Sequence, residues 1–343
     1  MRFRWIRALA SLSLAWSTHA LAKADKPLFE ASTPIHIIIQ APLSTLIRDR
    51  HHQGPIAGSL TDPGGQNVPI NLELRGITRR TSEICDFPPL RVEFNSPPAS
   101  SLFAGQKKLK LITHCKNSPS FQQYVLLEYS AYKMYNLLTP RSFRVRLANI
   151  DYRDSDGHPI ASRIGYFLEE LSEVAHRNGM KAAHAPDRIP VEYLSPADAA
   201  RYSLFEDMLA NHDWSMRAGP PGKDCCHNAD LIGVAAPGQI VPIPYDFDYS
   251  GFVDTPYATP PAELDISDVR SRLYRGYCVH NREAIGVAQQ MRNERPAMLG
   301  VLGEVPGLEA GMRQKAIAFL EKFFAEIGNE AEFNSKVLGR CVR

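Results

Sequence analysis

The sequence predicts an α+β protein of two lobes, a β-rich N-terminal lobe over residues 23–170 and a mostly helical C-terminal lobe over residues 171–343. Two observations predict this division. Segments in which apolar and polar residues alternate, as in half-buried strands, are concentrated before residue 170. Segments with apolar residues three or four positions apart, as in helices, dominate after it. With 44% hydrophobic residues in a chain of 343, a large core can form and wholesale disorder is excluded.

The first 22 residues have the pattern of a secretory signal peptide. Three arginines precede an apolar run at 8–16, which is too short to span a bilayer, and Ala20-Leu21-Ala22 fits a cleavage site. Cleavage after Ala22 would remove three Arg and no acid, taking the formal charge from +2 to −1. We therefore expect a periplasmic or secreted protein with no membrane span in the mature chain, the alternative being an uncleaved anchor.

The charge balance and the cysteines fit that location. The 39 Lys and Arg nearly balance 37 Asp and Glu, which argues against a nucleic-acid-binding protein. All six cysteines lie after the signal segment, as expected for disulfides in an exported domain, although free thiols are the alternative. The adjacent Cys225 and Cys226 are expected to bond to two different distant partners. The sequence does not choose among the 15 possible pairings.

The N-terminal lobe contains a series of short predicted strands and one long helix. Pro140 follows the helix and ends it. The strands are predicted at 35–39, 68–75, 90–94, 109–112, 143–147 and 164–168, and the helix at 121–138. From these alternating strands we expect the N-terminal third of the chain to be a mostly antiparallel β region.

The C-terminal lobe begins with a well-marked helix. Ser195 is in position to cap it and Pro196 is in its first turn, so the helix is predicted to run to about residue 210. Residues 211–251 lack periodicity and are dense in His, Asp, Asn, Cys and Gly, which is typical of functional loops. Further helices are predicted at 265–276, 281–293 and 308–327.

Three polar clusters within this irregular stretch have the residue types of a phosphoryl-transfer site. Such a site needs a carboxylate for the acceptor hydroxyl, and an Asn and an Asp that hold a divalent cation against the phosphates. Asp213, Asn228 and Asp246 supply these types in that order. In protein kinases the first two lie close together, whereas here 15 residues separate them, with two cysteines in between.

Other interpretations of the same clusters are possible. His212, Asp213, His227, Asp246 and Asp248 could ligate the metal of a hydrolase, although no H-E-x-x-H motif is present. The absence of G-x-S-x-G argues against a serine hydrolase with a nucleophile elbow. Each cluster alone could also be a surface turn.

The motifs together resemble the spore-coat CotH kinase-like family, whose members are secreted or surface proteins with an atypical protein-kinase fold. The resemblance covers residues 72–251. It depends on Leu-Arg-Gly-Ile-Thr-Arg-Arg at 74–80, Asn-x-Asp-Trp at 211–214, Asn228, and Ile-Pro-Tyr-Asp-Phe-Asp at 243–248, where Tyr245 stands in place of the family's usual Trp. The resemblance implies that the two predicted lobes form a two-lobed atypical protein-kinase-like fold.

The resemblance also implies roles for residues of the second half of this region. Asp213 would orient the acceptor hydroxyl as the catalytic residue. Asn228 and Asp246, with Asp248, would be metal ligands for Mg²⁺, Mn²⁺ or Ca²⁺. Glu169 would border the adenine pocket of ATP.

The nucleotide contacts from the N-terminal lobe are less specific. Lys107, Lys108 and Lys110 are all near the implied strand, and Lys110 is preferred, with Glu128 as its partner on the helix. No Gly-x-Gly-x-x-Gly loop is present, so arginines such as Arg75 would hold the phosphates.

The sequence therefore predicts an exported phosphotransferase that moves the γ-phosphate of ATP to a hydroxyl of a protein or another envelope substrate, with protein Ser or Thr expected. A kinase-shaped envelope binding or structural protein without activity, and a metal-dependent hydrolase, are the alternatives. The source of ATP outside the cytoplasm is left open.

Overall fold

The computed structural model describes residues 26–96 and 98–343. The predicted signal peptide lies outside these residues. Seven strands form a closed barrel, in the order β1-β2-β3-β4-β5-β7-β6. They are β1 (Ile35–Gln40), β2 (Ile56–Thr61), β3 (Asn67–Leu74), β4 (Leu90–Phe94), β5 (Lys108–Ile112), β6 (Val145–Arg153) and β7 (Pro159–Leu168).

Neighbouring strands of the barrel are antiparallel except where β1 closes it by running parallel to β6. Buried and more exposed residues alternate along each strand, and the buried side chains fill the interior. In β4, Leu90, Val92 and Phe94 are buried and the two charged residues between them are half-exposed. The buried interior faces of the strands form the core of the barrel.

A second core lies between the barrel and the helices. The helices are α1 (Leu43–Arg48), α2 (Pro119–Leu138), α3 (Leu171–Arg177), α4 (Pro196–Leu209), α5 (Asn281–Glu304), α6 (Ala310–Gly328) and α7 (Glu330–Glu332). Helix α5 packs against α2, α4 and α6. Strand β7 contributes to both cores, because Phe167 points into the barrel while Tyr166 and Leu168 pack among the helices.

A small separate sheet has one strand before α4 along the chain and two after it. It has the order β10-β9-β8, with β8 (Ala182–Ala183), β9 (Ala229–Gly233) and β10 (Ile240–Pro244). Pairing of Pro244 with Ala229 brings the residues beyond the ends of the hairpin together, and the Tyr245 amide donates a hydrogen bond to the Asn228 carbonyl at 3.2 Å. This hairpin positions two of the three polar clusters.

The prediction of a two-lobed kinase-like fold is wrong. Instead of a β-rich lobe above a helical lobe, the chain forms a closed seven-stranded mixed barrel with helices and a separate three-stranded sheet. The closure comes from the pairing of β1 with β6, from Ile35 with Ala148 to Gln40 with Arg153. Residue periodicity predicts the strands but says nothing about such a distant pairing.

The predicted helix at 265–276 is also wrong, because that segment is irregular. Its arginines contact different parts of the molecule: Arg270 stacks over Phe319, whereas Arg275 stacks over Trp214. One helical face could not serve both contacts.

The six cysteines form three pairs at disulfide distance, Cys85 with Cys115, Cys225 with Cys226, and Cys278 with Cys341. The expectation that Cys225 and Cys226 have distant partners is therefore wrong. None of the helices in the described part of the chain combines the length and the hydropathy that crossing a bilayer requires.

Candidate functional site

A cavity of about 450 Å³ lies where the barrel meets the small sheet, and six of the eight predicted site residues line it. These are Arg75, Lys110, Asp213, Asn228, Asp246 and Asp248. They come from the loop after β3, from β5, from the turn after α4 and from both ends of the β9–β10 hairpin. Glu128 and Glu169 are not part of this lining.

The turn that carries Asp213 is anchored on both sides. Ala210 ends α4 in the left-handed conformation, with φ of 48°, so the chain reverses there. The buried Trp214 packs against Tyr202, with ring centroids 5.0 Å apart, and donates its indole N–H to the Asn211 carbonyl at 2.9 Å. The Asp213 amide donates to Asn211 Oδ1 at 3.2 Å. Asp213 is thereby held in place with its side chain about one-third exposed.

Asn228 lies directly beside Asp213 although 15 residues separate them. Two backbone hydrogen bonds between Ser215 and His227, of 2.9 and 3.0 Å, close the intervening segment into a loop that returns to its starting point. The Asn228 side-chain amide then donates to the Asp213 carbonyl at 2.6 Å and to Oδ2 at 3.1 Å. The inserted segment therefore leaves the pairing of these two residues intact.

His227 is the other direct partner of Asp213. Its Nε2 lies 2.6 Å from Asp213 Oδ1, and this hydrogen bond raises the pKa of His227 above its usual value. A carboxylate has room for about four hydrogen bonds, so Asp213 can still accept one from a hydroxyl that enters the cavity.

The Asp-Phe-Asp sequence after β10 is anchored by its central residue. Phe247 is completely buried against Tyr132 and Phe205, with ring centroids 4.7 and 5.7 Å away. Asp246 is in the left-handed region with φ of 66°, as is Asn228 with φ of 50°. Asn and Asp adopt this conformation more readily than other residues, and such positions are concentrated at functional sites.

A buried group of charges lies behind Asp246. Asp248 accepts a hydrogen bond from Tyr257 at 2.9 Å and lies 4.0 Å from Arg79. Burial, followed by repulsion from Asp246, raises the pKa of Asp248 to about 7. Burial, followed by repulsion from the two aspartates, raises the pKa of Glu128 to about 8. The cation nearest this acidic group is therefore Arg79.

The expected pairing of Lys110 with Glu128 is wrong. Lys110 Nζ lies 3.6 Å from Asp230 and 4.5 Å above the Tyr245 ring. Of the three candidate lysines, Lys110 lines the cavity, whereas Lys107 and Lys108 are exposed. The alternation of β5 accounts for this difference only in part, since Lys108 shares the face of Lys110 but lies at the start of the strand.

Glu169 has a different environment from the one the sequence suggests. Its carboxylate pairs with Arg177 at 3.0 Å and accepts from the Arg144 amide at 2.9 Å, and its own amide donates to the Arg144 carbonyl at 3.0 Å. These contacts join the end of β7 to the start of β6. They occupy the groups that would otherwise face a ligand.

The lining of the cavity carries oxygen groups that could ligate a cation. Within residues 26–96 and 98–343, no three His, Cys, Asp or Glu side chains converge to hold a metal ion. Asp246, Asp248 and Asn228 do line one cavity, and because the Asn228 side-chain nitrogen is already engaged by Asp213, its amide oxygen is the atom left for a cation. Such an all-oxygen set suits Mg²⁺, which takes few protein ligands and completes its coordination with phosphate and water.

Several residues of the site escaped the sequence interpretation. Tyr132, which accepts the Asp246 amide hydrogen bond at 2.9 Å, and Tyr257 carry no motif that marks them. Arg91 also lines the cavity, and it is the cross-strand partner of Lys110. The sequence places Arg91 on the predicted strand before that of Lys110, but the register that pairs the two residues is set by the fold.

Comparison of the chain with protein-family models and with curated proteins finds no match.

Proposed function

We propose that the protein is an exported, metal-dependent phosphotransferase that moves the γ-phosphate of ATP to a hydroxyl, with protein Ser or Thr as the acceptor. The observation that carries the proposal is the convergence of Asp213, Asn228, Asp246 and Asp248 on one cavity that arginines and a lysine also line. We also propose that the protein is related to the CotH kinase-like family. This relationship rests on the similarity of the motifs and not on similarity of the fold.

Each group has a role that follows from its chemistry. Arg75 and Lys110 would contact the phosphates. Asp246, Asp248 and Asn228 would hold the divalent cation, which neutralises charge on the phosphates. Asp213 would accept the proton of the acceptor hydroxyl as the new P–O bond forms and ADP leaves.

His227 would act on the acceptor side through Asp213. Its hydrogen bond to Oδ1 keeps that carboxylate oriented, while a protonated imidazole would reduce the ability of Asp213 to accept a proton. Because the pKa of His227 is raised by this contact, transfer would increase as the pH rises through that pKa.

Two observations support export. The N-terminal sequence has the signal pattern, and the three cysteine pairs at disulfide distance suit an oxidising compartment such as the periplasm or the exterior. Substrates would then be proteins or other hydroxyl-bearing molecules of the envelope.

The test is transfer of the terminal phosphate of radiolabelled ATP to a protein or to the enzyme itself, with Mg²⁺, Mn²⁺ or Ca²⁺. Asp213→Asn is expected to reduce the rate by about 10²–10⁴-fold, the contribution of a general base. Asp246→Asn is expected to abolish cation-dependent transfer. Asp224→Asn, an exposed acid in the neighbouring loop, is the matched control and should leave the rate unchanged.

Circular dichroism and melting temperatures establish that each variant is folded. Equal rates in the wild-type protein and both site variants would refute the proposal. Stabilisation by ATP and a cation without any transfer would instead identify a binding protein, and stoichiometric zinc without an effect of nucleotide would identify a hydrolase.

A further inference from the structure

We propose that the cavity recognises its phosphate donor through the polyphosphate chain and not through a nucleobase, so that inorganic triphosphate and different nucleoside triphosphates are equivalent ligands. This deepens the proposed function and rests on it only for the transfer step. Binding can be measured without any transfer.

Four cationic side chains line the cavity, and they surround it from two sides. Arg75 and Arg79 lie on the segment after β3, and Arg91 and Lys110 are cross-strand neighbours on β4 and β5. Three of them have ion-pair partners, at 4.0 Å for Arg79, 3.9 Å for Arg91 and 3.6 Å for Lys110. These distances exceed those of close charge-assisted hydrogen bonds. Arg79 is nearly buried and also donates to the Thr113 carbonyl at 2.6 Å, so Arg91 and Lys110, together with Arg75, are the cations that retain donors for a phosphate oxygen.

The phosphate contacts would come from side chains rather than from backbone amides. Gly76 is the one glycine lining the cavity in the described part of the chain, so a glycine-rich loop is missing. Guanidinium groups bind phosphate oxygens in pairs and do not depend on what the phosphate is attached to. The guanidinium groups of the cavity would therefore bind the phosphates in the same way whichever base the ligand carries.

Glu169, which the resemblance assigns to the border of the adenine pocket, does not line the cavity. Both the carboxylate and the amide of Glu169 are bonded to Arg144 and Arg177. The preceding Leu168 is paired on both sides, with Lys110 and with Val145. Because the end of β7 completes the barrel, it does not offer its hydrogen-bonding groups to a purine edge.

The aromatic side chains at the cavity already pack against other side chains of the protein. Lys110 covers the Tyr245 ring at 4.5 Å, and Tyr249 packs against Tyr257 with ring centroids 5.5 Å apart. Ile77 is 84% exposed at the rim and offers apolar contact without hydrogen bonds. The apolar contact that Ile77 offers would not distinguish adenine from guanine or cytosine.

The transfer reaction is the same with inorganic triphosphate or with a nucleoside triphosphate as the phosphate donor. With inorganic triphosphate, the bond between the terminal phosphorus and the bridging oxygen breaks and diphosphate leaves. The acceptor hydroxyl forms the new P–O bond and its proton passes to Asp213. With a nucleoside triphosphate, the corresponding diphosphate leaves.

Thermal shift and titration calorimetry with the purified protein and Mg²⁺ test the inference, using inorganic triphosphate, ATP, GTP, CTP and adenosine as probes. The three nucleotides and inorganic triphosphate are expected to bind within about threefold of one another, whereas adenosine produces no shift. Arg75→Ala should weaken binding of ATP and of inorganic triphosphate by the same factor, about tenfold or more. Arg282→Ala, with a side chain 93% exposed, is the control.

Binding of ATP at least about 30-fold tighter than GTP and inorganic triphosphate, or stabilisation by adenosine alone, would overturn the inference while leaving a phosphotransferase function intact. Equal binding of all polyphosphates without transfer would support the inference and refute the function. Binding of none of the probes would overturn the inference, and the radiolabel assay would still decide the function separately.

Discussion

Replacing Glu206 by Gln is expected to change how the stability of the protein depends on pH. Glu206 lies on α4 and is completely buried, and within the described residues neither carboxyl oxygen has a hydrogen-bond partner. The side chains of Asn211 and Tyr202 face it, and Asp213 and Arg275 are the charged groups that influence it. Burial raises its pKa from 4.5 to about 8.

The sign and size of the effect follow from proton linkage. Between pH 4.5 and about 8, the folded protein keeps a proton that the unfolded chain has lost, so the free energy of unfolding falls as the pH rises. Full expression of the shift corresponds to on the order of 5 kcal/mol. Glutamine is neutral at every pH, so the variant lacks this loss.

Urea unfolding at pH 5, 7 and 9 measures the effect. The stability of Glu206→Gln relative to the wild-type protein should increase from pH 5 to pH 9 by a few kcal/mol, most of it below pH 8. The neighbouring Asp207, whose pKa burial raises to about 7, is present in both proteins and cancels in the comparison. Glu192→Gln, at an exposed acid, is the control. Parallel pH profiles of Glu206→Gln and the wild-type protein would refute the reasoning.

Two further predictions concern the ion pair of Glu169 with Arg177 and the disulfide of Cys278 with Cys341. Glu169→Ala should destabilise the protein by about 1–3 kcal/mol in urea unfolding, because it removes the carboxylate that pairs with Arg177 and accepts from the Arg144 amide. It should leave binding of inorganic triphosphate unchanged, and weaker binding would place Glu169 in the site after all. Replacing both Cys278 and Cys341 by Ala should cost about 4 kcal/mol, since their bond spans 63 residues of the chain, and an unchanged urea midpoint would contradict this.

The elements that depend on neighbouring residues could be predicted from the sequence. Strand β4 has the predicted bounds, and α2 and α4 begin and end within two residues of their predicted limits, because spacing of apolar residues and caps are local signals. The parallel pairing of β1 with β6 connects residues more than 100 positions apart and leaves no such signal. The architecture was therefore mispredicted although most elements were identified.

In the candidate site, too, local signals could be read from the sequence and distant contacts could not. Asp213, Asn228 and Asp246 could be found because chemistry restricts the residue types and their order along the chain. The partner of Lys110 could not, because β5 turns its side chain toward Asp230 and Tyr245 of the small sheet and away from α2. Glu169 was misjudged for a similar reason, since Arg177, eight residues later, neutralises it.

Strand β7 has a consequence for how ligands reach the cavity. Its alternate side chains pack in the barrel core and in the helical core, and the helical core also contains Ile232, Val241 and Ile243 of the hairpin, so β7 joins the barrel to the core on which the hairpin packs. A ligand would then meet a preformed surface. Its rate of uptake would depend on diffusional encounter, which the positive side chains accelerate and salt slows, and not on the opening of a hinge.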